Sequence, residues 1–333
     1  MGALRAGLIG LGMMGRHHAR VLRQTDGVEL VAVADASGDP HGVAGGLDVV
    51  PDIEALVEVG LDLCVVAVPT ALHETVALAL ADAGVPTLVE KPLAADVAAA
   101  RRVADAFAAA GVIGAVGHIE RYNPALQNLR RRLEDGELGD IYQVVTRRQG
   151  PFPARVADVG VVKDLATHDI DLTAWVAQQP FRAVAAQTAL KSGRRHEDLV
   201  AVVGELTDGT VTNHLVNWLS PMKERVTIVT GDRGCFVADT LSADLTFYAN
   251  ASVPTEWDAI ARFRGVSEGD VIRFAFPKPE PLRTEHEAFR DAVLGKDADI
   301  VTMRDGLATV AVAEAVLRSA TEGRRVAIEP PGR

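Results

Sequence analysis

Three ionisable residues occupy places where this chain can turn them toward chemistry: Lys91, Asp164 and His168. Lys91 lies between Glu90 and Pro92, just past the short apolar run Pro86-Thr87-Leu88-Val89, and the proline restricts the backbone that presents it. A partly desolvated lysine at a strand end loses some preference for its charged form and can exchange a proton with a hydroxyl near neutral pH. Most loop lysines are simply solvated, so the reading needs support from the rest of the chain. Asp164, His168 and Asp171 follow i, i+4, i+7, which predicts three ionisable groups on one face of a helix whose other positions are largely apolar. That stripe suits an acid/base facing a cleft. The same Asp and His could ligate a metal, but no third convergent ligand is evident. We therefore expect no metal.

The start of the chain predicts a bound dinucleotide, whose nicotinamide would make hydride transfer the chemistry these groups serve. Arg5 to Ile9 is an apolar run that breaks into Gly10-Leu11-Gly12-Met13-Met14-Gly15 and continues in a helical pattern. In such a strand-turn-helix, Gly10 permits the tight turn, Gly12 lets backbone approach a pyrophosphate, and Gly15 lets the helix lie close on the strand. Asp35 ends the next apolar run, Val28 to Ala34, at the spacing where a carboxylate meets the adenosine ribose. Its charge favours NAD over NADP, and Ala36-Ser37-Gly38 offers no arginine for a 2′-phosphate.

These residues must be positioned by two kinds of architecture. From residue 4 to about 117 strand and helix patterns alternate, which predicts an α/β Rossmann domain, a doubly wound parallel sheet, over residues 1–119. Ligands bind at the strand ends of such sheets, here Pro69-Thr70 with His73 in the following helix, and Glu90-Lys91. Beyond the helix Pro124 to Leu133 the pattern becomes a run of strand-like pieces between Ile141 and Tyr248 with one helix, about Lys163 to Val176. This predicts an α+β domain over 120–333 with an open, mainly antiparallel sheet, for substrate binding and oligomerisation. Two C-terminal helices, near Leu282 to Leu294 and Arg304 to Ala320, are free to pack back on the first domain.

Composition narrows the partners. Of 333 residues 48% are hydrophobic and 24% charged, a soluble globular balance, and a net charge of −11 argues against nucleic acid or an anionic membrane. Cys64 and Cys235 are far apart and read as reduced core residues. No leader or spanning segment is evident, so a cytoplasmic protein is expected. Apolar residues at both parities in the strands around Val211 to Trp218 and Val226 to Val229 predict a homodimer or homotetramer joined through the second domain.

The chain resembles the glucose–fructose oxidoreductase, inositol dehydrogenase and MocA superfamily over nearly its whole length. The marks are the glycine turn, Val68-Pro69-Thr70-Ala71-Leu72-His73, Glu90-Lys91-Pro92 and Asp164-Leu165-Ala166-Thr167-His168, with Ala166 where a glycine is common. The resemblance implies an NAD(P)-dependent dehydrogenase or reductase acting on a sugar or cyclitol hydroxyl, with Lys91, Asp164 and His168 as the catalytic trio. It also implies that Met13, Met14, Pro69, Thr70, His73, Glu90 and Lys91 border the cofactor. Within the superfamily, Gly117 to Pro124, Asp158 to Asp164 and Asn217 to Lys223 look like the branch that oxidises the 3-hydroxyl of UDP-N-acetylglucosamine. Arg121, Asn123, Arg147, Arg148 and Arg155 could then receive a diphosphate, with Tyr122, Asp164 and His168 completing the substrate site. Two alternatives stay open: a ketosugar reductase or inositol-type dehydrogenase on a substrate without nucleotide, and a cofactor-loaded sensor without turnover.

Overall fold

The computed structural model describes residues 2–153, 159–250 and 269–329, and the chain divides into two units. The first holds the residues up to Ile119 together with Pro279–Glu314. Its six strands are β1 (Leu4–Ile9), β2 (Val28–Ala34), β3 (Val49–Val50), β4 (Leu63–Val66), β5 (Thr87–Glu90) and β6 (Gly114–Gly117). They form one parallel sheet in the order β3-β2-β1-β4-β5-β6, with α1 (Met13–Gln24), α2 (Ile53–Glu58), α3 (His73–Asp82) and α4 (Val97–Ala110) as the crossovers. The strands are short and almost wholly apolar because helices cover both faces. Asp52 and Asp96 cap α2 and α4 by accepting from the N–H groups of Ala55 and Ala99.

The late segment belongs to this unit for physical reasons. Val116 donates its N–H to the Val301 carbonyl at 2.9 Å, and Phe289 joins Leu8, Leu22, Leu30 and Val33 in the apolar core. Phe289 lies on α7 (Pro281–Val293), and α8 (Met303–Glu322) follows it.

The second unit comprises Glu120–Lys278 and Ala315–Glu329. It opens with α5 (Pro124–Glu134) and β7 (Ile141–Pro151), then α6 (Thr167–Ala177). After α6 come β8 (Phe181–Ala189), β9 (Leu199–Leu206), β10 (Val211–Asn217), β11 (Leu219–Gly231), β12 (Gly234–Asp239), β13 (Asp244–Ala249), β14 (Val271–Arg273) and finally β15 (Val326–Ala327). The nine strands form one sheet, β14-β13-β12-β11-β7-β10-β9-β8-β15, antiparallel at every pairing except β10 with β7. β3, β14 and β15 were not legible in the sequence, because two or three residues carry no alternation. Helix α6 also begins differently from the expected Lys163 start: Val162–Ala166 forms a π turn, and only Thr167 onward is α-helical.

No described helix is long and apolar enough to cross a membrane, and Cys64 and Cys235 are both free thiols.

Candidate functional site

In the first unit the glycine turn has the geometry its sequence demands. Gly10 sits at φ +96°, and a Cβ there would lie 2.5 Å from the Ala67 carbonyl oxygen; a Cβ on Gly15 would lie 1.9 Å from that of Gly10. Gly12 is the opposite case. Nothing lies within 4 Å of the place a Cβ would take, so its face is open. Helix α1 starts there with no side-chain cap and no acid in its first turn, so Met13, Met14 and Gly15 present N–H groups that suit an anion. Asp35 braces the turn: its Oδ2 accepts the Leu11 N–H at 2.7 Å and its Oδ1 the Ser37 N–H at 2.8 Å. A carboxylate has acceptor capacity beyond these two bonds, which leaves room for a ribose hydroxyl. The open Gly12 face, uncapped helix start and braced acid fit a dinucleotide.

Two of the expected cofactor residues, His73 and Glu90, are tied into the fold by hydrogen bonds. His73 is 1% exposed, and its ring nitrogens lie 2.8 Å from the Pro92 carbonyl and 3.0 Å from that of Val68. It ties the turn after β4 to the turn after β5. Burial pushes its pKa below the usual histidine range. Glu90 is likewise buried. Its Oε1 lies 2.9 Å from His18 Nε2, and its Oε2 accepts the backbone N–H of Lys91 at 3.0 Å. Burial alone would raise the Glu90 carboxyl, but the hydrogen bond and charge of His18 and the charge of Lys91 hold it below the usual range. Close approach across the sheet allows this arrangement, since Gly117 pairs with Glu90 and a Cβ there would meet Glu90 Cα at 3.3 Å. Lys91 itself is half-buried, at the carboxyl edge of the sheet.

In the second unit Asp164 lies buried in the π turn and His168 half-buried in the first turn of α6. The expected three-residue stripe is corrected at its third member: Asp171 is buried and accepts two hydrogen bonds from Arg121, at 2.7 and 2.8 Å. The wider π turn also changes the register on which that stripe relied. Asp169, between them, points to another guanidinium. Arg148 is 2% exposed and donates to Asp169 Oδ2 at 2.9 Å and to Glu120 Oε1 at 2.8 Å. Arg225 reaches Glu120 at 3.5 Å and also feels the charge of Asp164. Burial would raise the Glu120 carboxyl, yet the two guanidinium groups hold it below the usual range.

These pairings change the expected substrate site. Arg148 is enclosed with two carboxylates, Arg121 lies on Asp171, and Arg147 pairs with Glu224 at 2.8 Å. Asn123 caps α5, its Oδ1 accepting the Ala125 N–H and its Nδ2 donating to the Thr240 carbonyl. Tyr122 is 6% exposed. As arranged, Arg148 and Asn123 are engaged within the second unit. Arg155 and Asp158 lie outside the described residues. Among the described residues no group of three His, Cys, Asp or Glu side chains is placed to hold a metal ion.

Sequence reasoning missed His18, Glu285 and His286. His286 Nε2 lies 2.8 Å from His18 Nδ1, and Glu285 is 1% exposed. The signal was present: Leu282, Glu285, His286 and Phe289 are the buried positions of α7, an i, i+3, i+4, i+7 stripe in which two members are ionisable.

Comparison with known proteins agrees with this architecture. Residues 4–118 match the model of an oxidoreductase family NAD-binding Rossmann fold, and residues 130–328 match the C-terminal alpha/beta domain of the same family. An inositol 2-dehydrogenase of Saccharopolyspora erythraea is 29% identical, covering 98% of this chain and 96% of its own. A UDP-N-acetylglucosamine 3-dehydrogenase of Acidithiobacillus ferrooxidans is 31% identical over 63% of this chain and 66% of its own. The solved structure of GenD2 from gentamicin A biosynthesis, in complex with NAD, is 29% identical with a TM-score of 0.80, covering 99% of this chain and 97% of that one. The glycine turn, the two unit architectures and these matches lead to one conclusion: the chain belongs to the Gfo/Idh/MocA family of NAD-binding oxidoreductases.

Proposed function

We propose that this oxidoreductase moves a hydride between NAD and a secondary hydroxyl or ketone of a sugar or cyclitol. The observation that carries the reading is the shared carboxyl edge of one parallel sheet, where the open glycine turn follows β1 and Lys91 follows β5, two strands away. Gly10, Gly12, Met13, Met14, Gly15 and Asp35 hold the cofactor, with Pro69 and Thr70 at the end of β4 beside it. Bound NAD supplies the hydride acceptor. Lys91 or His168 takes the hydroxyl proton, at Nζ or at a ring nitrogen, while Asp164 orients the substrate by accepting from a hydroxyl. NAD is preferred over NADP because Asp35 repels a 2′-phosphate.

A substrate without nucleotide is the favoured class. Among the described residues Arg121, Arg147 and Arg148 are all paired with carboxylates, so a diphosphate received by any of these three would have to displace an existing ion pair. A nucleotide-linked hexose oxidised at C3 is the second reading, supported by the 31% identity to the UDP-N-acetylglucosamine enzyme. Cofactor reduction measured across inositols, free sugars and UDP-sugars tests both. Higher kcat/KM for a polyol supports the first, higher kcat/KM for a UDP-sugar the second, and no reduction by any member favours a sensor.

The homo-oligomer reading rests on the outward face of the second unit's sheet. Val203 and Val211 are 51% and 45% exposed on adjacent strands, with Val145, Leu215, Val226 and Ile228 partly exposed around them. Such a patch suits a second copy. A monomer mass by light scattering at micromolar concentration would end this idea.

A further inference from the structure

Behind Lys91 runs a buried line of hydrogen-bonding groups to which the proposed proton transfer assigns no role. His286 Nε2 and His18 Nδ1 are 2.8 Å apart, His18 Nε2 and Glu90 Oε1 are 2.9 Å apart, and Glu90 Oε2 accepts the Lys91 backbone N–H at 3.0 Å. The three side chains are buried and come from α7, α1 and the end of β5. The line thus joins the helix that follows the glycine turn, the late segment and the residue beside the lysine.

We propose that His18 and His286 are positioning residues: they hold the Glu90 carboxylate in the orientation that takes the Lys91 N–H, and so set where the lysine side chain starts. The chemistry of the line permits few arrangements. Ionised Glu90 can only accept, so His18 Nε2 carries the hydrogen between them. A neutral His18 then accepts at Nδ1 from the Nε2–H of His286, and an imidazolium at His18 would donate to both neighbours. In either state each ring has one usable orientation. Burial and the nearby His18 push His286 well below the usual histidine range, which disfavours an imidazolium there. The consequence rests on Lys91 being catalytic, because a misplacement on the order of 1 Å at a reacting group can cost about a hundredfold in rate.

Two measurements test the line. The first needs neither cofactor nor turnover: in 15N-histidine NMR spectra, Glu90→Gln should shift the ring signals of His18 and also of His286, one link further on. An unmoved His286 signal overturns the proposal. The second is a double-mutant cycle. His18→Asn, which cannot reach Glu90 as Nε2 does, should lower kcat about tenfold or more while the NADH dissociation constant, read by fluorescence, stays within about twofold. His18→Gln places an amide N–H near Nε2 and should recover most of that loss. In a Lys91→Ala background, followed at high enzyme concentration, His18→Asn should cost no more than about twofold. Equal losses in both backgrounds, or a Gln variant as poor as the Asn one, overturn the positioning role. Normal turnover in Lys91→Ala alone would instead overturn the catalytic reading of Lys91, leaving the NMR result to decide the line.

Discussion

The two units support their candidate chemistry with different kinds of buried polar group. Behind Lys91 stand two histidines, His18 and His286, and two carboxyls, Glu90 and Glu285; the corresponding set of the second unit is two arginines, Arg148 and Arg225, and two carboxylates, Glu120 and Asp169. The second set is built on guanidinium groups that stay charged at all ordinary pH, so its geometry is held by permanent attraction. The first can change its protonation, so pH can alter it. Burial raises the cost of error in both, but the error differs: a lost partner in the second unit, a gained or lost proton in the first.

Removing the permanent charge should therefore hurt most. Arg148→Met leaves Glu120 and Asp169 buried together without their shared partner, and should destabilise the fold by about 3–5 kcal/mol in urea denaturation. A loss under about 1 kcal/mol would mean that the acids are neutralised or hydrated at small cost, and the contrast would collapse. On the reactive side, Lys91→Ala and His168→Ala should each leave NADH binding nearly intact and lower kcat by about a hundredfold or more, the usual weight of a positioned acid or base. Near-normal kcat in either variant would remove that residue from the chemistry.

The titratable support should reveal itself through pH. Burial and the nearby Glu90 hold the Glu285 carboxyl well above the usual range. A raised folded-state pKa contributes stability that is present below the ordinary carboxylate value and is lost as pH rises through the folded value. Glu285→Gln, which resembles the protonated acid, should leave stability little changed at pH 4 and raise it relative to the parent as pH climbs to 8. The stability difference between variant and parent, followed by urea denaturation over that range, checks the sign; a difference that shrinks with pH would show that Glu285 ionises easily. The smallest effect belongs to the surface. Arg283 and Glu287 pair one helical turn apart with much of each side chain in water, so Arg283→Ala should leave the urea midpoint essentially unchanged. A marked drop would mean that exposed pairs rival the buried ones.

Much was legible in the chain because local chemistry compels it. Gly10 at φ +96° and Gly15 against the Gly10 carbonyl are positions where a side chain cannot fit, so glycine spacing announces the turn whatever surrounds it. Strand and helix alternation announced the parallel sheet in the same way, since a strand covered on both faces must be apolar throughout. The acid at Asp35 and the lysine between Glu90 and Pro92 likewise follow from their places at strand ends. The use of each polar side chain was decided by tertiary structure. Arginines at 121, 147 and 148 read alike in sequence, as groups able to receive an anion; each is paired because a carboxylate distant in the chain, or on a neighbouring element, arrives beside it. That His73 clasps two turns together is likewise visible only in the folded chain. His18 meets His286 across 268 residues of chain. Periodicity reports which face a residue occupies, whereas burial and partner depend on what the fold brings against that face.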